Sequence, residues 1–159
     1  MGWDKVMPSR PVVAVAGATG AVGVEMLKVL EQRDFPADRV IALASARSAG
    51  KRVPFRGGEL VVEEMTPASF SGVDIALFSA GAGVSKAFRD AVTGAGAVMI
   101  DASGALERGV LVVPEVNAEV VAEQPAGRSV HRGTAGLCIE LRKHLFVVAD
   151  LVLTRGRQQ

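Results

Sequence analysis

The stretch Val12-Val13-Ala14-Val15-Ala16-Gly17-Ala18-Thr19-Gly20-Ala21-Val22-Gly23 decides the fold of this chain. An apolar, β-rich run ends in three glycines spaced three apart, and apolar residues then recur at helical spacing. The pattern predicts a strand, a phosphate-binding turn and a helix. In nucleotide-binding βαβ units, such glycines allow a tight turn, let the backbone approach a pyrophosphate and let the helix pack closely on the strand.

The turn and the start of the helix are therefore the first candidate binding site. A diphosphate would bind to the unpaired N–H groups at the helix start. The alternative is a purely structural turn, because small residues also occur in tight β-to-α connections that bind nothing. The strand before the turn and the helix after it favour nucleotide binding, and the candidate cofactor-binding residues here are Gly17, Thr19, Gly20, Ala21, Val22 and Gly23.

The end of the second predicted strand indicates which nucleotide binds. NAD-specific domains usually carry Asp or Glu there, about 20 residues after the glycines, to bind the ribose 2′-hydroxyl. Here the run Val40–Ala44 ends in Ser45-Ala46-Arg47-Ser48-Ala49-Gly50-Lys51-Arg52, whose hydroxyls and cations suit a 2′-phosphate. Arg47 can hold a phosphate through two parallel hydrogen bonds, with Ser45 and Ser48 as further donors. We therefore expect NADP in preference to NAD; the alternative is a solvated basic loop.

Strand and helix signals alternate along most of the chain. This alternation predicts an α/β, Rossmann-like, doubly wound and mostly parallel sheet, with helices on both faces, in a single domain. Further strands are predicted at Asp74–Phe78 and Val98–Asp101, a helix over about 84–95, and a hairpin whose turn is Gly57-Gly58. We divide the chain into an extension (1–10), an NADP-binding domain (11–126) and a divergent tail (127–159) that packs on or beside the sheet.

Four predicted strand ends carry small or polar residues: 17–23, 45–48, 79–81 and 101–104. In open α/β sheets, ligands bind beyond the carboxyl ends of the strands, so we expect one crevice there. Ser79, Ala80 and Gly81 are added to the cofactor-binding candidates. Gly81 and Gly83 would let the backbone approach the nicotinamide or its ribose, although ordinary turns also use such glycines.

Composition narrows the class of protein. The 159 residues are 49% hydrophobic and 22% charged, enough for a core, and the net charge of +1 gives no sign of a nucleic-acid partner. A single cysteine excludes an intramolecular disulfide framework and agrees with a reducing compartment. No secretory signal or membrane span is predicted, because the apolar stretch 146–153 is too short to cross a bilayer. We expect no metal site and a cytoplasmic location.

Five motifs in this order resemble the N-terminal domain of aspartate-semialdehyde dehydrogenase, over about residues 11–117. The resemblance implies an NADP-dependent oxidoreductase that interconverts aspartyl phosphate and aspartate semialdehyde, on the route to lysine, threonine and methionine. It also implies a cysteine thiolate that attacks the carbonyl and a histidine that acts as acid and base. The motifs are Gly17-Ala18-Thr19-Gly20-Ala21-Val22-Gly23, Ala44-Ser45-Ala46-Arg47-Ser48-Ala49-Gly50-Lys51, Leu77-Phe78-Ser79-Ala80-Gly81, Ile100-Asp101-Ala102-Ser103-Gly104-Ala105 and Val112-Val113-Pro114-Glu115-Val116-Asn117.

The sequence departs from the family at its catalytic positions. The family segment Asp-Asn-Ser-Ser-Ala-Phe-Arg is here Asp101-Ala102-Ser103-Gly104-Ala105-Leu106-Glu107-Arg108, which lacks the asparagine and displaces the arginine. Cys138 is the candidate nucleophile, but no Asn-Pro-Asn precedes it. Its apolar neighbours favour a buried, unreactive thiol. His131 and His144 are weaker candidates for its base.

The resemblance also implies a second domain for substrate binding and dimerisation, which we expect to be absent from this chain. We therefore expect the cofactor-binding half of the enzyme, truncated and not catalytically complete alone. Its partners would be NADP(H), an amino-acid-derived substrate, and another subunit or a complementing C-terminal portion. Two alternatives stay open: a stand-alone NADP-binding module without chemistry, and a related acyl-phosphate reductase such as that of the arginine pathway.

Overall fold

A computed structural model describes residues 8–103, 110–112 and 129–132 of the chain. This part contains nine strands, two α-helices and two short 3₁₀ turns. The strands are β1 (Val12–Ala16), β2 (Arg39–Ala44), β3 (Arg52–Phe55), β4 (Gly58–Val61), β5 (Glu63–Glu64), β6 (Ile75–Phe78), β7 (Val98–Asp101), β8 (Val110–Val112) and β9 (Ser129–Arg132). The α-helices are α1 (Ala21–Gln32) and α2 (Ala82–Gly94), and short 3₁₀ turns span Ala46–Ser48 and Pro67–Phe70.

Seven of the described strands form one sheet in the order β5-β2-β1-β6-β7-β9-β8. Every strand pair that the structure describes in this sheet is parallel. β1 lies between β2 and β6, with Val15 opposite both Ala42 of β2 and Leu77 of β6. The predicted α/β, Rossmann-like fold with a mostly parallel sheet is therefore confirmed.

The period-two alternation of β1 explains why both faces of the sheet are covered. Val13 and Val15 pack into one core cluster with Met26, Leu27 and Leu30 of α1. Ala14 and Ala16 face the opposite cluster, which contains Phe70, Phe78 and Met99 together with Val92 of α2. Successive strand side chains point to opposite faces, so one short strand supplies both cores.

The chain changes direction across the sheet between β1 and β6. From β1, helix α1 leads to β2 on one side; from β6, helix α2 leads to β7 on the other. Connections that diverge from two adjacent strands leave a crevice beyond the carboxyl ends of those strands, where α/β proteins bind ligands. This switch point positions the candidate site described below.

Two local expectations from the sequence differ from the structure. The hairpin turn is Arg56-Gly57, not Gly57-Gly58, because Gly58 pairs with Phe55 as the first residue of β4. Both turn residues have positive φ (49° and 71°), which a two-residue turn of type I′ requires. Helix α2 also begins at Ala82, two residues before its predicted start.

The sequence predicts no strand over the segment 129–132, which belongs to the predicted tail. In the structure it is β9, which lies between β7 and β8 in the sheet. Its backbone therefore continues the parallel ladder beyond β7. For 137–153 of the tail the sequence favours a helix followed by a strand, and these residues lie outside the described part of the chain.

Candidate cofactor-binding site

A cleft of about 460 Å³ opens at the switch point, beyond the carboxyl ends of β1, β2 and β6. Three of the four predicted strand-end segments contribute to it. The described residues that line it are Gly17, Thr19, Gly20, Ala44, Ser45, Arg47, Ser48, Met65, Ser79, Ala80, Val84 and Phe88. Its volume lies in the range of 300–1,000 Å³ that is usual for small-molecule sites.

The glycine loop is anchored to the neighbouring strand by its own backbone. The N–H groups of Gly17 and Ala18 both donate to the carbonyl oxygen of Leu43, at 2.8 and 3.1 Å. Gly17 has a φ of +86°, and a Cβ on it would lie 2.8 Å from the carbonyl carbon of Ser79. Only glycine combines this backbone conformation with so close an approach to the loop after β6.

The other two glycines of the loop differ from each other in what surrounds them. A Cβ on Gly23 would overlap the carbonyl oxygen of Gly17, so close packing of α1 on the loop accounts for this glycine. A Cβ on Gly20 would come no nearer than 3.4 Å to another atom. Gly20 is the N-cap of α1 and lines the cleft. Packing within the described protein therefore does not require glycine at position 20, and the backbone there leaves room for a ligand.

The start of α1 suits an anion. The first N–H groups of a helix have no partner within it, and the helix dipole adds partial positive charge there. The first turn of α1 contains no acidic residue, and its N-cap makes no side-chain hydrogen bond. No capping carboxylate from the helix itself therefore competes with a bound phosphate.

The wall after β2 carries the only charged side chain among the described lining residues. Arg47 lies in a 3₁₀ turn that closes with a 2.8 Å hydrogen bond from Ser48 N–H to the Ser45 carbonyl oxygen. It is exposed, and within the described part of the chain it makes no ion pair or hydrogen bond. No Asp or Glu is among the lining residues. A guanidinium without a competing carboxylate suits a phosphate better than a ribose hydroxyl.

The wall after β6 is held by Ser79. Its N–H and its Oγ both donate to the carbonyl oxygen of Ala16, at 2.9 and 3.1 Å. These bonds fix the loop Ser79-Ala80 beside the end of β1. In the sheet, β2 and β6 lie on either side of β1. Ser79 and Ala80, which follow β6, therefore line the cleft across from Arg47, which follows β2.

Four lining residues were not predicted from the sequence: Ala44, Met65, Val84 and Phe88. Ala44 is the last residue of β2, and Met65 follows β5, which is too short to be predicted from periodicity. Val84 and Phe88 are four apart on α2, so they share one face of the helix. That spacing is visible in the sequence, but only the position of α2 shows that it meets the cleft.

Four predicted cofactor-binding residues do not line the cleft: Ala21, Val22, Gly23 and Gly81. The first three form the first turn of α1, where backbone N–H groups rather than side chains face a ligand. Gly81 has a φ of +93°, so its backbone conformation alone accounts for a glycine. The catalytic candidate Cys138 and His144 lie outside the described residues, as does the side chain of His131.

Two further findings concern metal binding and membrane-spanning helices. The described residues contain no group of three or more His, Cys, Asp or Glu side chains that could hold a metal ion. No helix in the described ranges is long and apolar enough to span a membrane.

Comparison with known proteins identifies the family. Residues 12–124 match the model of the semialdehyde dehydrogenase NAD binding domain. Aspartate-semialdehyde dehydrogenase of Bacillus subtilis is 55% identical over 108 residues, which cover 66% of this chain and 31% of that protein. The chain thus spans about a third of the length of this curated relative.

Solved structures agree with the sequence match. A probable aspartate-semialdehyde dehydrogenase from Pseudomonas aeruginosa is 41% identical with a TM-score of 0.71, over 77% of this chain and 37% of that one. Aspartate semialdehyde dehydrogenase II from Vibrio cholerae, complexed with ASA, is 40% identical with a TM-score of 0.72, over 79% and 42%. The resemblance predicted from the five sequence motifs is confirmed. The chain belongs to the semialdehyde dehydrogenase family, and the part it shares with these relatives includes the nicotinamide-cofactor-binding domain.

Proposed function

We propose that the cleft binds NADP(H) in preference to NAD(H). The observation that carries this proposal is Arg47, an exposed guanidinium without a described partner, in a cleft whose described lining contains no carboxylate. A 2′-phosphate would bind to Arg47, with the hydroxyls of Ser45 and Ser48 as additional donors. An NAD-specific site would instead present a carboxylate to the two ribose hydroxyls.

The glycine loop fits the rest of a dinucleotide. Its diphosphate would bind at the start of α1, where Gly20 leaves the backbone accessible and no acidic side chain competes. The first-turn amides of Ala21, Val22 and Gly23 would be the donors. Ser79, Ala80 and Gly81 would lie toward the nicotinamide half, which supplies hydride transfer when it is bound.

The reaction we propose is the NADP-dependent interconversion of L-aspartyl 4-phosphate and L-aspartate 4-semialdehyde, in lysine, threonine and methionine biosynthesis. Its support is the family match, the names of the relatives and the Vibrio cholerae structure complexed with ASA. This chain supplies the cofactor-binding part, and the substrate meets residues outside the described cleft, with Cys138 as the candidate nucleophile. The partners we propose are NADP(H), an amino-acid-derived substrate and another subunit or C-terminal portion, and the location we propose is the cytoplasm.

A second candidate function is NADP binding without catalysis. It is favoured by one observation: no Cys, His, Asp, Glu or Lys is among the described residues that line the cleft. An assay with aspartate semialdehyde, phosphate and NADP separates the two functions. Turnover that the Cys138→Ser substitution abolishes supports the dehydrogenase, and binding of NADP without turnover supports the module.

Calorimetric titration of Arg47→Ala with NADP and with NAD tests the cofactor proposal. We expect about 30-fold weaker binding of NADP, because removing a hydrogen-bonded charge partner costs about 2 kcal/mol. Binding of NAD should change by less than about threefold, since NAD has no 2′-phosphate for the arginine to hold.

Lys51→Ala is the matched control for charge. Lys51 is an exposed cation four residues further along and does not line the cleft. Its loss should change NADP affinity by less than about threefold, because exposed charges at longer range are screened by salt. Equal losses of NADP affinity in Arg47→Ala and Lys51→Ala would indicate a general basic surface. Equal affinity of the unaltered chain for NADP and NAD would overturn the NADP preference.

A further inference from the structure

A buried polar cluster lies beside the cleft without lining it. Asp101, at the end of β7, is 1% exposed, and Ser85 of α2 is fully buried. Ser85 Oγ donates to Asp101 Oδ1 at 2.6 Å, and Ser103 Oγ donates to Asp101 Oδ2 at 2.7 Å. Such short contacts are typical of hydroxyls that donate to a carboxylate.

Packing alone does not explain this cluster. A buried carboxylate is unfavourable unless its oxygens are hydrogen-bonded, and apolar side chains of similar volume often stabilise a core equally well. The other residues of β7, Val98, Met99 and Ile100, are apolar and buried. The polar group therefore stands at the last position of β7, where its carboxylate reaches Ser85 at the start of α2.

Ser85 connects the cluster to the wall of the cleft. It lies between Val84 and Phe88, both of which line the cleft, and its N–H donates to the Gly81 carbonyl oxygen at 3.0 Å. The N-cap of α2, Gly81, makes no side-chain hydrogen bond that would fix the helix start in another way. The bond to Asp101 thus joins the first turn of α2 directly to the sheet.

Asp101 is also paired with β6, the strand that leads into the lining residues Ser79 and Ala80. It lies opposite Phe78, the last residue of β6, and the next residues along the chain are Ser79 and Ala80. The carbonyl oxygen of Phe78 accepts a 3.0 Å hydrogen bond from Ala102 N–H. The backbone that carries the carboxylate is therefore fixed to the end of β6, which leads into the cleft.

We propose that Asp101 is a positioning residue of the cofactor cleft, which acts through Ser85 to hold the first turn of α2 against the sheet. The bond fixes where Val84 and Phe88 face the nucleotide. This inference rests on the proposed function, because the wall it positions is that of the nucleotide cleft. Without the bond, the helix start shifts away from the sheet and the cleft loses its fixed shape.

Calorimetric titration with NADP tests the proposal on folded protein. Ser85→Ala should weaken binding about tenfold, corresponding to about 1.4 kcal/mol. Asp101→Asn, which keeps an acceptor oxygen, should weaken it only about threefold. Because both changes affect the same bond, the double variant should bind like Ser85→Ala within about twofold. If the role of this bond is merely structural, the substitutions will lower the melting temperature but leave the NADP affinity of the folded chain unchanged.

The control variant is Thr93→Ala on the same helix. Thr93 Oγ1 donates to the carbonyl oxygen of Arg89 within α2, at 2.9 Å, and it is not part of the cleft. Its loss should leave NADP affinity within about twofold of the original. Affinity lost equally in Thr93→Ala and Ser85→Ala would show that any weakening of α2 has this effect, and would overturn the specific role of Asp101.

Hydrogen–deuterium exchange without nucleotide separates this inference from the proposed function. Ser85→Ala should speed exchange at the Ser85 to Arg89 amides about tenfold, while Thr93→Ala should not affect the first turn. Unchanged exchange in Ser85→Ala overturns the inference whatever the nucleotide does. A chain that binds neither nucleotide overturns the proposed function, and the exchange result still decides whether Ser85 holds the helix.

Discussion

The two helices that begin at the cleft are held there in different ways. At α1, backbone packs on backbone: Cβ atoms on Gly17 and Gly23 would each collide with neighbouring main-chain atoms. At α2 there is open space, since Cβ atoms on Gly81 and Gly83 would meet nothing within 4 Å. A hydrogen bond from Ser85 Oγ to the Asp101 carboxylate holds this second helix instead.

This difference indicates how each helix start responds to mutation. Close backbone packing fixes α1 rigidly but tolerates no added atom, because a folded main chain has little room to shift. A side-chain hydrogen bond fixes α2 in one place while leaving its surroundings open. We therefore expect the same glycine-to-alanine substitution to have opposite effects at the two helices.

The largest effect is expected for Gly23→Ala. The added methyl group would overlap the Gly17 carbonyl oxygen, so α1 would have to move off the loop. We expect a loss of about 3 kcal/mol in the free energy of unfolding, at the upper end of the usual cost of overpacking. Denaturant unfolding measures it. An unchanged midpoint would show that the loop yields easily, and the contrast between the helices would disappear.

Gly20→Ala is expected to have an intermediate effect, on binding rather than on folding. Its φ of −80° and ψ of 162° are open to alanine, and the nearest atom to a new Cβ is 3.4 Å away. Stability should fall by no more than about 1 kcal/mol, the usual cost of alanine at an N-cap. NADP affinity should fall about tenfold, because the methyl group occupies the approach to the helix start. Calorimetric titration beside denaturant unfolding distinguishes these effects, and a loss of stability with unchanged affinity would contradict the role given to Gly20.

The smallest effect, and one of opposite sign, is expected for Gly83→Ala. Gly83 lies in the first turn of α2, with open space around a new Cβ. Alanine should stabilise the chain by about 0.5–1 kcal/mol, because it loses less backbone entropy than glycine when the helix forms. A rise of a few degrees in melting temperature would agree with this value. A fall would mean that the start of α2 is more tightly packed than the structure shows.

The sequence predicted those elements whose signals are local. β1 and α1 followed from an apolar run, glycines and helical spacing, and Val98–Asp101 was predicted with its observed bounds. The hairpin was predicted, but with its turn one residue too late. Arg56 takes a positive φ, a conformation that sequence patterns assign to glycine, so the prediction chose Gly57-Gly58 instead. β5 was missed because two residues carry no periodicity.

The candidate site shows the same limit. Ser45, Arg47 and Ser48 could be found because they follow a strand directly, where ligands of α/β sheets bind. Met65 and Phe88 could not, because each is brought to the cleft by an element whose position depends on long-range packing. Asp101 was expected to face the crevice, yet its carboxylate turns to Ser85, sixteen residues earlier in the chain.

The sequence by itself determined the unit of β1, α1 and β2, the later unit of β6, α2 and β7, the glycine loop at the start of α1 and the cation after β2. These features depend on the spacing of neighbouring residues, which fixes local backbone conformation. Only the tertiary structure decided which glycine is required by packing, which apolar side chains form the wall of the cleft, and how a buried carboxylate holds α2. Those features depend on distances between segments far apart in the chain, and the packing of the two cores against one sheet sets those distances.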